Sequence, residues 1–393
     1  MKKLLSFLLI MSIAFSLLAP VAAMAEESNV EADGDLTSET PVQEEYVEYN
    51  LSLEDAIKMA LTDNPQLIAN EFSQNANKIN INSAKITRNA TKKSLAAVPL
   101  AYSSATTIEQ LCAKKGYYVT AAQVQYDLSV IEKERITASV SYNVTNAYYN
   151  VVLIDMLVNA AKNSLSMAIE NKTIVDAQYE QGLVSKMSYD NAGISVDAAR
   201  SKLEAYELNR NIAMKNLKNQ LHLDDNCALY LTDSIATEDY SSDVDADVVS
   251  ALETRYDLIA AKKMYELSAE YFDISESFTS GSAVYNTAYA DMLNKEYQYN
   301  TALDGIELAI RSSYNSIISN RSAMNISERS VDMAQKEYEA AKLQYDLGLI
   351  TNLQLTDAIY KLYEAEVNYS QAKLNYTMSV EKYKYDITIG LPQ

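Results

Sequence analysis

The sequence predicts an all-α protein of long antiparallel helical hairpins in two tandem repeats. Three observations carry this. From Leu100 through Leu391 there is no proline, and the only glycines are Gly116, Gly182, Gly193, Gly281, Gly305, Gly348 and Gly390. Sheets need frequent turns, and so few turn residues point to long helices. Apolar residues recur every seven positions over most of this stretch. Finally, "QYEQGLVSKMSYD" at Gln178–Asp190 returns, altered, as "QYDLGLITNLQLTD" at Gln344–Asp357, with the two glycines 348 − 182 = 166 residues apart.

Residues 1–25, "MKKLLSFLLIMSIAFSLLAPVAAMA", have two lysines, an apolar run from Leu4 to Leu18 and small residues before Ala25. This is the pattern of a secretory signal peptide, with cleavage expected after Ala25. No cysteine follows that site, so a lipid anchor there is not expected. No later stretch approaches about 18 uninterrupted apolar residues, so no transmembrane helix is expected in the mature chain. Residues 26–50 are acidic, contain Pro41 and read as a flexible leader.

The first repeat is placed at 51–223. Its opening, "NLSLEDAIKMALTDNPQLIANEF", sets Ser52 and Asp55 at capping spacing, and Asn64-Pro65 restarts a helix with proline in its first turn. A long helix follows over roughly Tyr118–Gln181. Its seam is Val144, Val151, Val158, Leu165 and Tyr179, with Val140, Ala147, Ile154, Ala161, Ala168 and Val175 on companion positions. Gly182 is expected to take a left-handed conformation and Ser185 to cap the return helix. A polar linker, 224–247, leads to the second repeat at 248–390.

There the long helix is predicted over roughly Val284–Leu347, with Leu303, Ile310, Ile317, Met324, Val331, Tyr338 and Tyr345 in its seam and Ile306, Ala334 and Ala341 beside them. After Gly348, with Thr351 as cap, the return helix carries Leu355, Leu362, Tyr369, Tyr376 and Tyr383, with Ala358, Ala365 and Ala372 between. Large and small residues mixed at a seven-residue period suit closely packed helices. Each long helix would span about 95 Å at 1.5 Å per residue. Upstream, "MALTDNPQLIAN" aligns with "SALETRYDLIAA" at an offset of 252 − 61 = 191, so the first repeat carries 191 − 166 = 25 extra residues near "KKSLAAVPLAYSSATTIEQLCAKKGYY".

The chain has 33 basic and 53 acidic residues; without Lys2 and Lys3 the balance is 31 − 53 = −22. Nucleic-acid binding is disfavoured, because it needs clustered basic side chains. Cys112 and Cys227 are not a disulfide framework, although export would permit a bond; unpaired cysteines are the expectation. His222, the single histidine, lies near a helix end and reads as structural or surface. No HExxH, GxSxG, Walker or CxxC motif is present, so neither an enzyme nor a metal or other cofactor is expected. The 30 tyrosines read either as packing residues with hydroxyls reaching water or as an aromatic substrate lining, the first being favoured.

The entry "LSLEDAIKMALTDNPQL", the turns "YEQGLVS" and "YDLGLIT" and the closing "LQLTDAIYKLYEAEVNYSQAKLNYTMSVEKYKYDITIG" together resemble the TolC-like outer-membrane efflux proteins, over roughly Leu51 to Gly390. The resemblance implies a homotrimeric hollow cylinder with pseudo-sixfold symmetry. Its turns would dock a periplasmic membrane-fusion adaptor and, through it, an inner-membrane pump. The docking residues would be Gly182, Leu183, Val184, Ser185, Gly348, Leu349, Ile350 and Thr351. An acidic constriction of the family falls by position on Gln354 and Asp357, with Ser188 as first-repeat counterpart and Asp190 two residues on; an ordinary exposed helix residue is the alternative reading of Asp357. The family also contributes paired barrel strands. Here "YFDISESFTSGSAVYN" is too short for two strands of about 9–11 residues, and "AVPLAYSSATTIEQLCAKKGYYV" lacks sustained alternation. The barrel is therefore expected to be absent or vestigial. The leading expectation is an exported conduit of an efflux or secretion system in the cell envelope. Family resemblance places it in an outer membrane; without a barrel it is extracytoplasmic and not inserted. The competing reading is a non-conducting coiled-coil scaffold protein of the envelope.

Overall fold

The computed structural model describes residues 48–97, 107–235, 237, 239–278 and 281–391. The expected signal peptide and the leader up to residue 47 lie outside the described residues, as do residues 98–106 of the first-repeat insertion. The order is β1 (Glu48–Leu51), α1 (Leu53–Leu61), α2 (Pro65–Ala96), α3 (Ile108–Lys115), α4 (Tyr117–Glu180), α5 (Lys186–Gln220), β2 (Ala228–Leu231), α6 (Val244–Thr254), α7 (Tyr256–Ser275), α8 (Ala283–Asp346) and α9 (Asn352–Asp386). Helix accounts for 84% of the described residues; they contain two strands, which pair in parallel, and no barrel.

The helix starts follow local chemistry. Ser52 accepts from the Asp55 N–H, and Asn64 accepts from the N–H groups of Gln66 and Leu67 just ahead of Pro65 at the first helical position. The two long helices have 64 residues each and the two return helices 35 each. Their starts differ by 283 − 117 = 352 − 186 = 166, so the hairpins repeat without insertion.

The seven-residue seam is the packing seam. On α8, Ile306, Ile310, Ile317, Met324, Ala334 and Tyr345 are buried; on α9, so are Leu355, Ala358, Leu362, Tyr376 and Tyr383. On α4, Val144, Val151, Val158, Ala161, Ala168 and Val175 are buried. Tyr179 departs from the expected seam: it is exposed at the end of α4 and lies against Tyr189 of the return helix, ring centroids 4.7 Å apart. Helix α4 packs on α5, α2, α9 and α7, while α8 packs on α9, α7 and α6. The lateral order is thus α5–α4–α9–α8 towards the hairpin turns and α2–α4–α7–α8 away from them. Helix α4 also contains an 18-residue window of mean hydropathy 1.2, long and apolar enough to cross a membrane by length and composition. Of that window 28% is buried; separately, Val140, Val144, Tyr148, Val151 and Leu153 of α4 join Leu51, Ala56, Leu217 and Leu229 in one core.

The first repeat's extra residues form helix where they are described. Helix α2 runs past the end of its counterpart α7, and α3 follows, capped by Thr107 and Gln110 in a reciprocal capping box. Cys112 and Ile108 of α3 pack on Ile274 of α7, bordered by Tyr117, Tyr271 and Phe278. Gly116 (φ 109°) ends α3 and starts α4; a side chain there would meet the Arg88 guanidinium at 3.2 Å. Cys112 and Cys227 are both buried and free. Burial pushes the Cys112 thiol up to about 11, so it stays protonated near neutral pH. His222 takes φ 55° just past α5, where the Leu223 N–H bonds back to the Lys218 carbonyl, a structural helix end.

Tyrosine hydroxyls fasten the connection between the repeats. Tyr148, fully buried on α4, donates to the Leu51 carbonyl (2.9 Å) and accepts from the Asp233 N–H (3.0 Å). Asp233 in turn accepts from the Leu53 N–H at 2.7 Å. These bonds hold β2 beside β1. On α9, Tyr376 accepts from the Tyr240 N–H (3.0 Å) and Tyr383 donates to Asp247 (2.6 Å). Burial and the Asp247 carboxylate together hold the Tyr383 phenol well above its usual range, so it remains a donor.

Candidate functional site

Both hairpins turn in the same way. At the end of α4 the Gly182 N–H bonds to the Tyr179 carbonyl (2.9 Å) and the Leu183 N–H to the Gln178 carbonyl (2.9 Å). At the end of α8 the Gly348 N–H bonds to Tyr345 (2.9 Å) and the Leu349 N–H to Gln344 (2.8 Å). This is the Schellman pattern, which needs a left-handed residue at the turn; Gly182 has φ 73° and Gly348 φ 72°. Ser185 then accepts from the Ser188 N–H and Thr351 from the Gln354 N–H, restarting the chain as α5 and α9. No atom lies within 4 Å of a side chain built at either glycine, so the constraint is backbone conformation alone. Gly182→Val and Gly348→Val are each expected to cost roughly 1–2 kcal/mol. Gly193→Val, inside α5 with equal space, is the helical reference, where valine has the higher helix propensity and no loss is expected. Urea unfolding followed by circular dichroism checks this; equal losses at all three positions would remove the need for a left-handed turn.

The turns sit side by side at one end of the bundle. The Tyr345 hydroxyl donates to Gln178 (3.0 Å), and Lys342 pairs with Glu170 (3.0 Å). Buried Asn352 donates to Asn171, which donates to Thr356 at 3.3 Å. Met167 and Ile174 of α4 pack with Tyr345, Ile350, Leu355 and Ile359. Of the eight expected turn residues, Val184 and Ile350 are half-buried, whereas Leu183 and Leu349 are 69% and 71% exposed. Met187 (71%) and Leu353 (61%), four residues on in each copy, are equally bare. Sequence reasoning passed over this second pair; the signal was an apolar residue at the same offset after both glycines. Each tip therefore presents two apolar side chains beside an open glycine backbone.

The four constriction candidates separate. Gln354 accepts from the Thr351 N–H (2.8 Å) while Thr351 accepts from the Gln354 N–H, closing a capping box. Ser188 donates its backbone N–H to the Ser185 hydroxyl (3.2 Å), and the two hydroxyls lie 3.1 Å apart, without a reciprocal bond to the Ser185 N–H. Both positions thus have a local capping role. Asp190 and Asp357 are exposed. Asp357 borders a cleft between α4, α5 and α9.

No protein-family profile matches the chain. Among curated proteins it is 24% identical over 276 residues to toxin and drug export protein A of Aggregatibacter actinomycetemcomitans, covering 68% of this chain and 56% of that protein. It is 21% identical over 250 residues to an uncharacterized protein of Haemophilus influenzae, covering 62% and 52%. The chain thus spans about half the length of the curated relatives it matches. Among solved structures it is similar to the outer membrane protein VceC of Vibrio cholerae (TM-score 0.69, 15% identity, 86% of this chain and 97% of that one). It is also similar to the Campylobacter jejuni CmeC outer membrane channel (TM-score 0.64, 16% identity, 87% and 86%). The fold is that of TolC-like outer-membrane channels.

Proposed function

We propose that this chain, which has the TolC-like channel fold, is an exported conduit component of an efflux or secretion system in the cell envelope. It acts as a homotrimer, docks a membrane-fusion adaptor through its paired tips, reaches an inner-membrane pump through that adaptor, and is not an enzyme. Two tandem repeats, 51–223 and 248–390, joined by the 224–247 linker, give the trimer six similar tips. The export function named for the Aggregatibacter relative supports this reading.

The observation that carries it is the pair of unpartnered lateral edges. Along α8, Tyr297, Leu308, Ile318, Ile326, Met333, Leu343 and Leu347 are exposed. At 100° per residue they fall within an arc of about 100°, the width of a packing face. The opposite edge is different: Ile68, Phe72, Ile79 and Ile86 on α2 and Ile194, Leu208 and Ile212 on α5. Two unlike edges make a head-to-tail contact, and head-to-tail contacts close into rings when the rotation permits. Each ring would carry the tips Gly182–Ser185 and Gly348–Thr351 alternately.

The test is recovery of a co-expressed adaptor with wild-type protein and with Leu183→Asp/Leu349→Asp. Both leucines are solvent-facing, so helicity and assembly should be unchanged, while adaptor recovery should fall at least about tenfold as apolar contacts repeated around the ring are lost. Equal recovery with both proteins would show that the turns are not docking tips and would favour the scaffold reading.

A further inference from the structure

The cleft beside Asp357 has a volume of about 380 Å³ and is formed by α4, α5 and α9. Its floor exists because the helices carry Ala161, Ala168 and Ala199 where larger side chains would fill the gap, and Ile359, Tyr360 and Tyr363 supply its apolar walls. Tyr363 is fixed by a 3.1 Å hydroxyl contact with Tyr206. The lining is mostly apolar, yet a carboxylate stands on its border. Among the described residues the Asp357 carboxylate makes no ion pair and no side-chain hydrogen bond, although Lys202 also lines the cleft. Lys202 instead lies over the Tyr206 ring, 5.6 Å from its centroid. The volume is that of a small-molecule pocket, where apolar walls supply contact area and a few polar groups set orientation.

We infer that this cleft binds a flat amphipathic organic cation, its apolar body between Tyr360, Tyr363 and the alanine floor and its charge at the Asp357 carboxylate. The chain's formal net charge of −20 favours the same sign of ligand. The lining residues lie on α4, α5 and α9 and do not include the turn residues Leu183 and Leu349, so occupancy is separable from adaptor docking.

The experiment is fluorescence anisotropy of tetramethylrhodamine ethyl ester, a cationic xanthene, against the purified chain, with anionic fluorescein as the matched ring system. The cationic dye should bind at one site per chain and fluorescein should not. Asp357→Asn should weaken the cationic dye about fivefold, the scale of a partly exposed ion pair. Glu364→Gln removes an exposed carboxylate from the same helix outside the cleft and should change nothing. Ala199→Leu fills the floor and should weaken binding at least about tenfold. Circular dichroism checks that each variant is folded, and Asp357→Asn alone decides if Ala199→Leu is not. Equal binding by wild type and Asp357→Asn, equal binding of both dyes, or an unaffected folded Ala199→Leu protein would overturn the assignment. So would loss of dye binding as the chain self-associates, which would mean that a neighbouring copy fills the cleft.

Discussion

Tyr148→Ala is expected to destabilise the protein by about 3–5 kcal/mol, the range for deleting a buried aromatic side chain. Two effects add. The ring is fully buried among the residues that join α1, α4, α5 and β2, so its removal leaves a cavity. The hydroxyl also bonds both strands' surroundings, through the Leu51 carbonyl and the Asp233 N–H. Tyr148→Phe separates these effects. It keeps the ring and removes the partner of the Asp233 N–H at an exposed residue, while the Leu51 carbonyl still accepts from the Thr232 N–H at 3.1 Å; a cost of about 0.5–1.5 kcal/mol is expected. Urea midpoints by circular dichroism measure both, and limited proteolysis should show earlier cleavage within 224–247 in each variant. A Tyr148→Ala protein as stable as wild type, with an equally resistant linker, would mean that the strand pair does not hold the repeats together.

Leu308→Glu with Ile326→Glu is the second large effect expected, and it acts on assembly rather than folding. Both side chains are exposed on α8, at 71% and 65%, so a monomer loses little. In a ring each would be removed from water against the α2 and α5 edge of the next copy. Burying such a side chain contributes about 1.5–3 kcal/mol, so two should weaken each contact by at least about 3 kcal/mol, roughly a hundredfold in dissociation constant. Sedimentation should show dissociation at concentrations where wild type is assembled, with an unchanged helical spectrum. Unaltered assembly would place the contact elsewhere.

The hairpins were legible because few competing signals exist. The long helices predicted over Tyr118–Gln181 and Val284–Leu347 differ by one residue at each end from Tyr117–Glu180 and Ala283–Asp346. The absence of proline and the caps Ser185 and Thr351 left little freedom. The absence of a barrel from the described residues was legible too, from two stretches too short or too irregular for strand pairs. The strands at Glu48–Leu51 and Ala228–Leu231 were not. Four residues each, separated by an entire hairpin, they carry no local pattern, and they pair because Tyr148 and Asp233 hold them.

The site was legible only in part. A heptad pattern marks apolar positions without saying which face the chain itself covers. Thus Ile317 and Ile318 are neighbours on α8, yet the first is fully buried and the second 43% exposed. Gln354 and Ser188 were read as constriction positions by alignment alone. Their local role comes from sitting three residues after a capping hydroxyl, a spacing that the sequence does contain. The cleft at Asp357 depends on alanines from two helices lying opposite the tyrosines of a third, a juxtaposition that exists only after folding.

Two unlike edges are proposed to close a ring of three chains. Light scattering coupled to size-exclusion chromatography of the purified mature protein, over a micromolar concentration series, tests it most directly. A species of three times the monomer mass is expected, persisting on dilution in the wild type and lost in Leu308→Glu/Ile326→Glu. A compact wild-type monomer throughout the series would contradict it.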